Sequence, residues 1–262
     1  TLLQAAPRIL SREEPEISAV ATEGLVGVGV NVMTSAEVVR AEKQDGGVRI
    51  TARVGKTMQT VDARVLMLAS GRTSNTGGLG CKAAGVKLDA YGTIETDIEM
   101  RTSQKHIWAA GDVDGGMQFT HTAHYEGRVA GHNAFSRKPL QRDERVVPRV
   151  TFVHPEVASV GMTEEEAKKA FGALLVGTFP LRGLGRGLVD GHRDGLIKLI
   201  ADKKTRKIIG GHMTGERAGE VIHEIAMAMY GNMKIDDLAD MIHAYPTYSE
   251  AVTAAASVAI QE

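Results

Sequence analysis

The run from Thr102 to Asp112, ending His106-Ile-Trp-Ala-Ala-Gly-Asp112, with a turn and a helix beginning near His121 after it, constrains this chain more than any other feature. His106–Ala110 reads as a short apolar strand that feeds directly into Gly111-Asp112. A strand ending in Gly-Asp sets a carboxylate at the carboxyl end of a sheet, and the N-terminus of the next helix favours an electron-rich oxygen. The plainer reading of the same residues is a strand, a glycine turn and an aspartate cap. A second apolar run, Val65-Leu-Met-Leu-Ala69 bounded by Gly71, reads as a buried strand of an α/β unit.

Thr1-Leu-Leu reads as the end of another buried strand. Ser11-Arg-Glu-Glu14 offers a capping box for a helix running to about Gly27. Segments 30–42 and 47–54 alternate like strands, and 58–61 adds one more. Turn-forming residues accumulate between Thr73 and Gly92, which predicts connecting loops with at most one short helix. A helix is expected over Thr122–Phe135, with Ala123, Gly127, Ala130 and Ala134 as a small-residue face for close packing.

Mixed charge with Pro139 and Pro148 places the main domain boundary in 137–149. Beyond it, 150–153, 158–160, 173–179, 195–201 and 207–212 look like strands. Thr163-Glu-Glu-Glu166 is a second capping box, with Gly172 as its helix stop. Val221, Ile222, Ile225 and Met229 form one apolar helical stripe, and Ile235, Leu238 and Ile242 another. The fold expected is therefore a set of partial α/β nucleotide-binding segments followed by an α+β domain of antiparallel sheet and helices.

Lys+Arg number 31 against 32 Asp+Glu, a formal net charge of −1, so nothing calls for nucleic acid or an anionic membrane as partner. No apolar run approaches the roughly 18 residues of a membrane span, and residues 1–25 carry no targeting pattern. A cytoplasmic chain acting on a small molecule is the expectation. Cys81 is the single cysteine, so no dithiol is encoded within these residues. The chain begins with Thr at strand-like residues, and it reads as a segment of a longer protein.

The Thr102 to Asp112 run resembles the second flavin-binding signature of the pyridine nucleotide–disulfide oxidoreductases. That resemblance implies that Gly111 and Asp112 meet the ribityl chain of FAD, and that backbone groups of Gln118, Phe119, Thr120 and His121 face the pyrimidine edge of its ring. Ala69-Ser-Gly-Arg-Thr-Ser-Asn75 resembles the family's Ala-x-Gly-Arg-x-Pro-Asn stretch, with Ser74 in place of Pro. It implies Gly71 and Arg72 on the nicotinamide side. His243-Ala-Tyr-Pro-Thr-Tyr-Ser-Glu250 resembles the family's His-Pro-Thr-x-x-Glu stretch, which reaches the partner subunit's flavin site.

Here Tyr245 stands where the family has its acid–base His. A phenol of reference pKa ~10 is a poor base at neutral pH, although it can donate a hydrogen bond or help hold a metal or substrate. The same replacement is seen in mercuric reductases and their relatives. Glu250 either orients that site or satisfies a helix N-terminus through Thr247. His243 is a substitute base or a residue at a helix C-terminus.

By this resemblance 1–73 is the C-terminal part of an NAD(P)-binding domain, 74–145 a returning segment of the FAD-binding domain, and 146–262 a dimerisation domain. The activity implied is an FAD-dependent, NAD(P)H-linked reduction of a disulfide or a metal ion, with mercuric ion one candidate, in a homodimer. The cysteine pair it needs would lie outside this chain. Dihydrolipoamide dehydrogenase-type activity and a non-catalytic dimerisation module are the alternatives. No Gly-x-Gly-x-x-Gly stands in position for either nucleotide, and Gln4 leaves NADH against NADPH open. The end, Val258-Ala-Ile-Gln-Glu262, lacks the cysteine pair of mercuric reductases, which counts against mercury.

Overall fold

A computed structural model describes residues 1–261. In chain order it forms β1 (Leu2–Leu3), α1 (Pro15–Gly27), β2 (Val32–Met33), β3 (Ala36–Gln44), β4 (Gly47–Val54) and β5 (Thr57–Ala63). Then come α2 (Cys81–Ala84), α3 (Thr120–Phe135), β6 (Arg149–Thr151), β7 (Val157–Gly161), α4 (Glu164–Phe171) and β8 (Leu174–Pro180). The rest is α5 (Gly185–Asp190), β9 (Leu196–Asp202), β10 (Ile208–Thr214), α6 (Ala218–Tyr230), α7 (Ile235–Ala239) and α8 (Glu250–Gln261). The backbone divides into two compact units, one of Thr1–Leu66 with Arg145 onward, the other of Met67–Glu144.

In the first unit, β1 and β2 pair in parallel, and β3, β4 and β5 form an antiparallel meander. A five-stranded sheet ordered β6-β7-β10-β9-β8 is antiparallel throughout. α6 packs on β7 and β10, and α8 on β8 and β9. Val160, Leu199, Ile222, Ile225, Ile235 and Leu238 fill the core between sheet and helices. α8 faces the sheet with Ala251, Ala255, Ala256 and Ala259, and a Cβ at Gly177 would collide with the Ala255 carbonyl. Small residues on both sides bring helix and strand to backbone contact, where any added methylene overpacks.

α4 has the capping box expected at Thr163, whose Oγ1 accepts from Glu166 N–H while Glu166 accepts from Thr163 N–H. The box expected at Ser11 does not form. Pro15 is the first helical residue and Glu14 precedes it in an extended conformation. A residue before proline is barred from the helical region, so the helix cannot start earlier.

Lys198, buried in β9, places its ammonium 2.8 Å from Glu14, 3.0 Å from Glu16 and 2.7 Å from Glu164. Burial opposes its charge, but the bonds to Glu14, Glu164 and Glu16 outweigh that and hold its pKa above the ordinary lysine value. The cluster fastens α1 and α4 to the sheet.

Three further expectations change. Val65–Ala69 forms no strand, and Val65, Met67 and Leu68 are 80%, 87% and 79% exposed. A buried strand needs hydrogen-bonded neighbours, and none pairs with this run among the described residues. His106–Ala110 makes one isolated bridge, Arg101 with Trp108, in place of a strand. α7 stops at Ala239, so Ile242 falls outside its stripe and is 94% exposed.

In the second unit a small core of Cys81, Val86 and Ile94 packs with Ile107, Ala109 and Val113. α3 buries Thr122, Glu126, Val129 and Asn133, a stripe at helical spacing. The small-residue face expected to pack closely is instead largely open, with nothing near Gly127. No helix among the described residues is long and apolar enough to cross a membrane.

Candidate functional site

Gly111 and Asp112 form a turn clamped to α3. Gly111 has φ +79°, a region L side chains rarely adopt, and a Cβ there would lie 2.9 Å from the Cβ of Ala123. Its N–H donates to Oε2 of Glu126 at 2.5 Å. Asp112 opens a 3-10 turn, Asp112–Asp114, and its carboxylate is 54% exposed. Ser74 Oγ donates to the Asp112 carbonyl at 3.0 Å, so the residue standing in place of proline ties its loop to this turn.

Arg72 joins the same place. Its Nη1 donates to the Gln118 carbonyl at 2.6 Å and lies 3.8 Å from Asp112 Oδ2. Two motifs that the sequence separates by about forty residues thus converge, with Arg72 spent on the turn before α3. Gly71 has φ +134° and open space around it. Phe119 precedes α3 in an extended conformation without a side-chain cap, so the N–H groups of the first turn, Thr120 and His121 included, have no side-chain acceptor. The rings of Phe119 and His121 stack with centroids 5.3 Å apart and planes 8° from parallel.

Such an arrangement fits a flavin. The exposed Asp112 carboxylate suits a ribityl hydroxyl, the uncapped helix start suits a ring oxygen that gathers negative charge, and the Gly111 backbone leaves a cradle that any side chain would fill. No dithiol accompanies it, since Cys81, the single cysteine, is a buried free thiol.

Sequence reasoning missed what stands behind the turn. Glu126 is buried on α3. Nη1 of Arg142 lies 3.2 Å from Asp114 Oδ2 and 3.7 Å from Glu126 Oε1, and its Nε lies 3.6 Å from Glu144 Oε2. Burial pushes the Glu126 carboxyl up to about 7; the Gly111 N–H pulls the other way, while Glu144 and Asp114 add to the rise. The signal available was positional, since Glu126 follows Thr122 by four and precedes Val129 by three, which puts a carboxylate on the buried face.

The residues expected to complete a partner's site lie in the first unit and have separate partners. The Tyr245 side chain is 78% exposed, and its phenol lies over Gly185, where a Cβ would come within 2.8 Å of the hydroxyl. Glu250 Oε2 accepts from Thr247 N–H at 2.8 Å, the helix-start bond of a capping box. Thr247 itself donates its hydroxyl to the Ala244 carbonyl, so only half of that box exists.

His243 lies beyond the end of α7, and so is not a residue of a helix C-terminus. Its Nε2 meets Glu224 Oε1 at 2.5 Å and its Nδ1 meets Thr253 Oγ1 at 2.7 Å, which joins α6 to α8. A cleft of about 250 Å³ nearby is lined by Arg186, Arg217, Glu220 and Pro246–Ser249, and neither Tyr245 nor His243 lines it.

Known proteins match this chain over most of its length. Residues 1–127 match the pyridine nucleotide-disulphide oxidoreductase model, and 147–256 match the dimerisation domain of the same family. A mercuric reductase of Staphylococcus aureus is 35% identical over 256 residues, covering 98% of this chain and 47% of that protein. A dihydrolipoyl dehydrogenase of Geobacillus stearothermophilus is 36% identical over 260 residues, covering 99% of this chain and 55% of that protein. Among solved structures, the HOCl-induced flavoprotein disulfide reductase RclA from Escherichia coli superposes with a TM-score of 0.88 at 29% identity, over 98% of this chain and 58% of that one. The chain spans about half the length of the curated relatives it matches. Members of the group use FAD and NAD(P)H. With both of its family models matched in order along one sequence, the chain belongs to the pyridine nucleotide-disulphide oxidoreductases.

Proposed function

We propose that this chain is the second half of a homodimeric flavoprotein that takes hydride from NAD(P)H and delivers electrons to a disulfide or a metal ion through a cysteine pair outside these residues. The observation that carries the proposal is the exposed Asp112 carboxylate beside the uncapped start of α3. Bound there, FAD supplies the two-electron chemistry that side chains lack. Asp112 accepts from a ribityl hydroxyl, backbone groups of Gln118 to His121 face the ring, and Arg72 fixes the Gln118 carbonyl. Gly71 leaves backbone open on the nicotinamide side.

In this reading 1–73 closes the NAD(P) domain, 74–145 belongs to the FAD domain and 146–262 forms the dimer. Tyr245, with Glu250 shaping its loop, serves the partner subunit's site as a hydrogen-bond donor or ligand, because a phenol of reference pKa ~10 is a poor proton acceptor at neutral pH. His243 supports that loop through Glu224 and Thr253. A single buried thiol fits a reducing cytoplasm.

The test uses the full-length protein carrying this chain. Addition of NADH or NADPH should bleach its flavin band, and absence of bleaching with both removes the reading. A dihydrolipoyl dehydrogenase-type reaction is the second reading, favoured by a relative of that name at 36% identity against 35% for the mercuric reductase. Assays with dihydrolipoamide and with Hg²⁺ side by side rank the two, and Tyr245 in place of a histidine base predicts weak dihydrolipoamide turnover.

A further inference from the structure

Four charged groups meet behind the flavin turn. Asp114 comes from the 3-10 turn, Glu126 from α3, and Arg142 and Glu144 from the segment that follows α3. The side chains of Asp114 and Glu126 are 2% and 1% exposed. One guanidinium faces three carboxylates, so full ionisation would leave two uncompensated negative charges out of water, an arrangement that low-dielectric surroundings penalise steeply. Two oxygens of this group, Glu126 Oε1 and Glu144 Oε1, are buried without any hydrogen-bond partner. A single proton between the two side chains supplies a donor where both lack one and removes one of the excess charges. The other oxygen of Glu126 is the acceptor for Gly111 N–H.

We propose that Glu126 is a positioning residue that couples FAD binding to uptake of a proton, holding the Gly111 turn with one oxygen and sharing that proton with Glu144 through the other. The proposal rests on the flavin reading above, since the turn it holds carries Asp112. When FAD bonds Asp112, the turn stays closed on α3 and the buried pair keeps its proton. As the proton leaves, repulsion among Asp114, Glu126 and Glu144 exceeds what Arg142 neutralises. The turn then relaxes from α3, water reaches the carboxylates, and Asp112 loses its place. Burial raises the Glu126 carboxyl from 4.5 to about 7 in the closed state, so FAD affinity falls as pH rises across that interval and is lowest above it.

The experiment takes the full-length apoprotein and titrates it with FAD by flavin fluorescence from about pH 5 to 8, with calorimetry in two buffers of different ionisation enthalpy to count protons. The wild type should bind FAD roughly tenfold more weakly at the upper end and take up part of a proton near the middle of the range. Glu126→Gln keeps an acceptor for Gly111 and a donor for Glu144 with no charge to lose. It should bind FAD about as the wild type does at low pH, with neither the slope nor the uptake. Glu126→Ala should bind poorly throughout. A wild-type affinity that is flat with pH, or a Glu126→Gln protein that keeps the wild-type slope, overturns the proposal. A wild type that binds no FAD at any pH removes the flavin reading itself.

Discussion

The Arg72 guanidinium donates to the backbone carbonyl of Gln118, forty-six residues further along the chain, at 2.6 Å. A charged donor thereby fixes the residue two places before α3, so the direction of the helix's first N–H groups depends on an arginine from a different motif. Arg72→Ala should weaken FAD binding to the full-length protein by about fivefold, corresponding to about 1 kcal/mol for a charged hydrogen bond discounted for exposure. Arg72→Lys should recover part of that loss, because the bond is a single N–H to a carbonyl, which an ammonium can also donate. A flavin titration decides it, and unchanged affinity in both variants would show that Arg72 does not set the turn.

Gly111→Ala should release FAD and lower stability by about 1–3 kcal/mol, since the added Cβ meets Ala123 and the positive φ is strained for any L residue. Ala123→Gly in the same protein removes the collision but leaves the φ. Partial recovery of the melting temperature in the double variant is the expected result. Full recovery would mean that backbone strain contributes nothing.

Lys198→Met should destabilise the protein by about 3–5 kcal/mol, because it strands Glu14 among buried neighbours. The acid limb carries a second check. Burial opposes the charge of Glu13 and Glu16, yet the polar neighbours His212, Ser159 and Arg149 around the first, and the backbone N–H and Lys198 bonded to the second, hold both below their ordinary value of 4.5. The stability they add is present above pH 4.5 and fades as pH falls below it. Lys198→Met should remove the Glu16 share of that acid limb in thermal melts and leave the Glu13 share, and an unchanged limb would exclude Lys198 as a source of it.

Tyr245→Phe keeps the ring over Gly185 and deletes only the hydroxyl. It should leave the melting temperature unchanged and reduce turnover by about tenfold if the phenol donates to substrate. Tyr245→His should add an ionisation near ~6.5 to the pH profile of dihydrolipoamide turnover, rate rising as the imidazole loses its proton. His243→Asn behaves oppositely, losing about 1–2 kcal/mol of stability with little change in the pH profile, since His243 bonds Glu224 and Thr253. A profile moved by His243→Asn would make it a base after all.

Much of the stretch after residue 149 was readable because its signals are local. Thr163 and Glu166 close a cap within one turn, and the stripe Val221, Ile222, Ile225 needs only a helix to become a buried face. The misreadings share one cause, dependence on a neighbour that local pattern does not report. Ser11 looked like a cap until Pro15 dictated where the helix starts, and Val65–Ala69 looked like a buried strand although nothing pairs with it. At the candidate site, the motifs singled out Arg72, Asp112 and Gln118 to His121, and the structure brings Arg72 to both Asp112 and Gln118. Glu126 and Arg142 were not legible, because a carboxylate on an amphipathic helix ordinarily faces water and only tertiary packing reveals that this one does not.

The uncovered apolar run after β5 has a colloidal consequence. Val65-Leu-Met-Leu-Ala carries no charge and no proline, and three of its side chains stand almost fully in water with unpaired backbone beside them. Such a ribbon is a template onto which a second copy can add edge to edge. Preparations in which these residues stay bare should cloud and grow in particle size with concentration, and Leu66→Lys or Leu68→Lys should keep them clear.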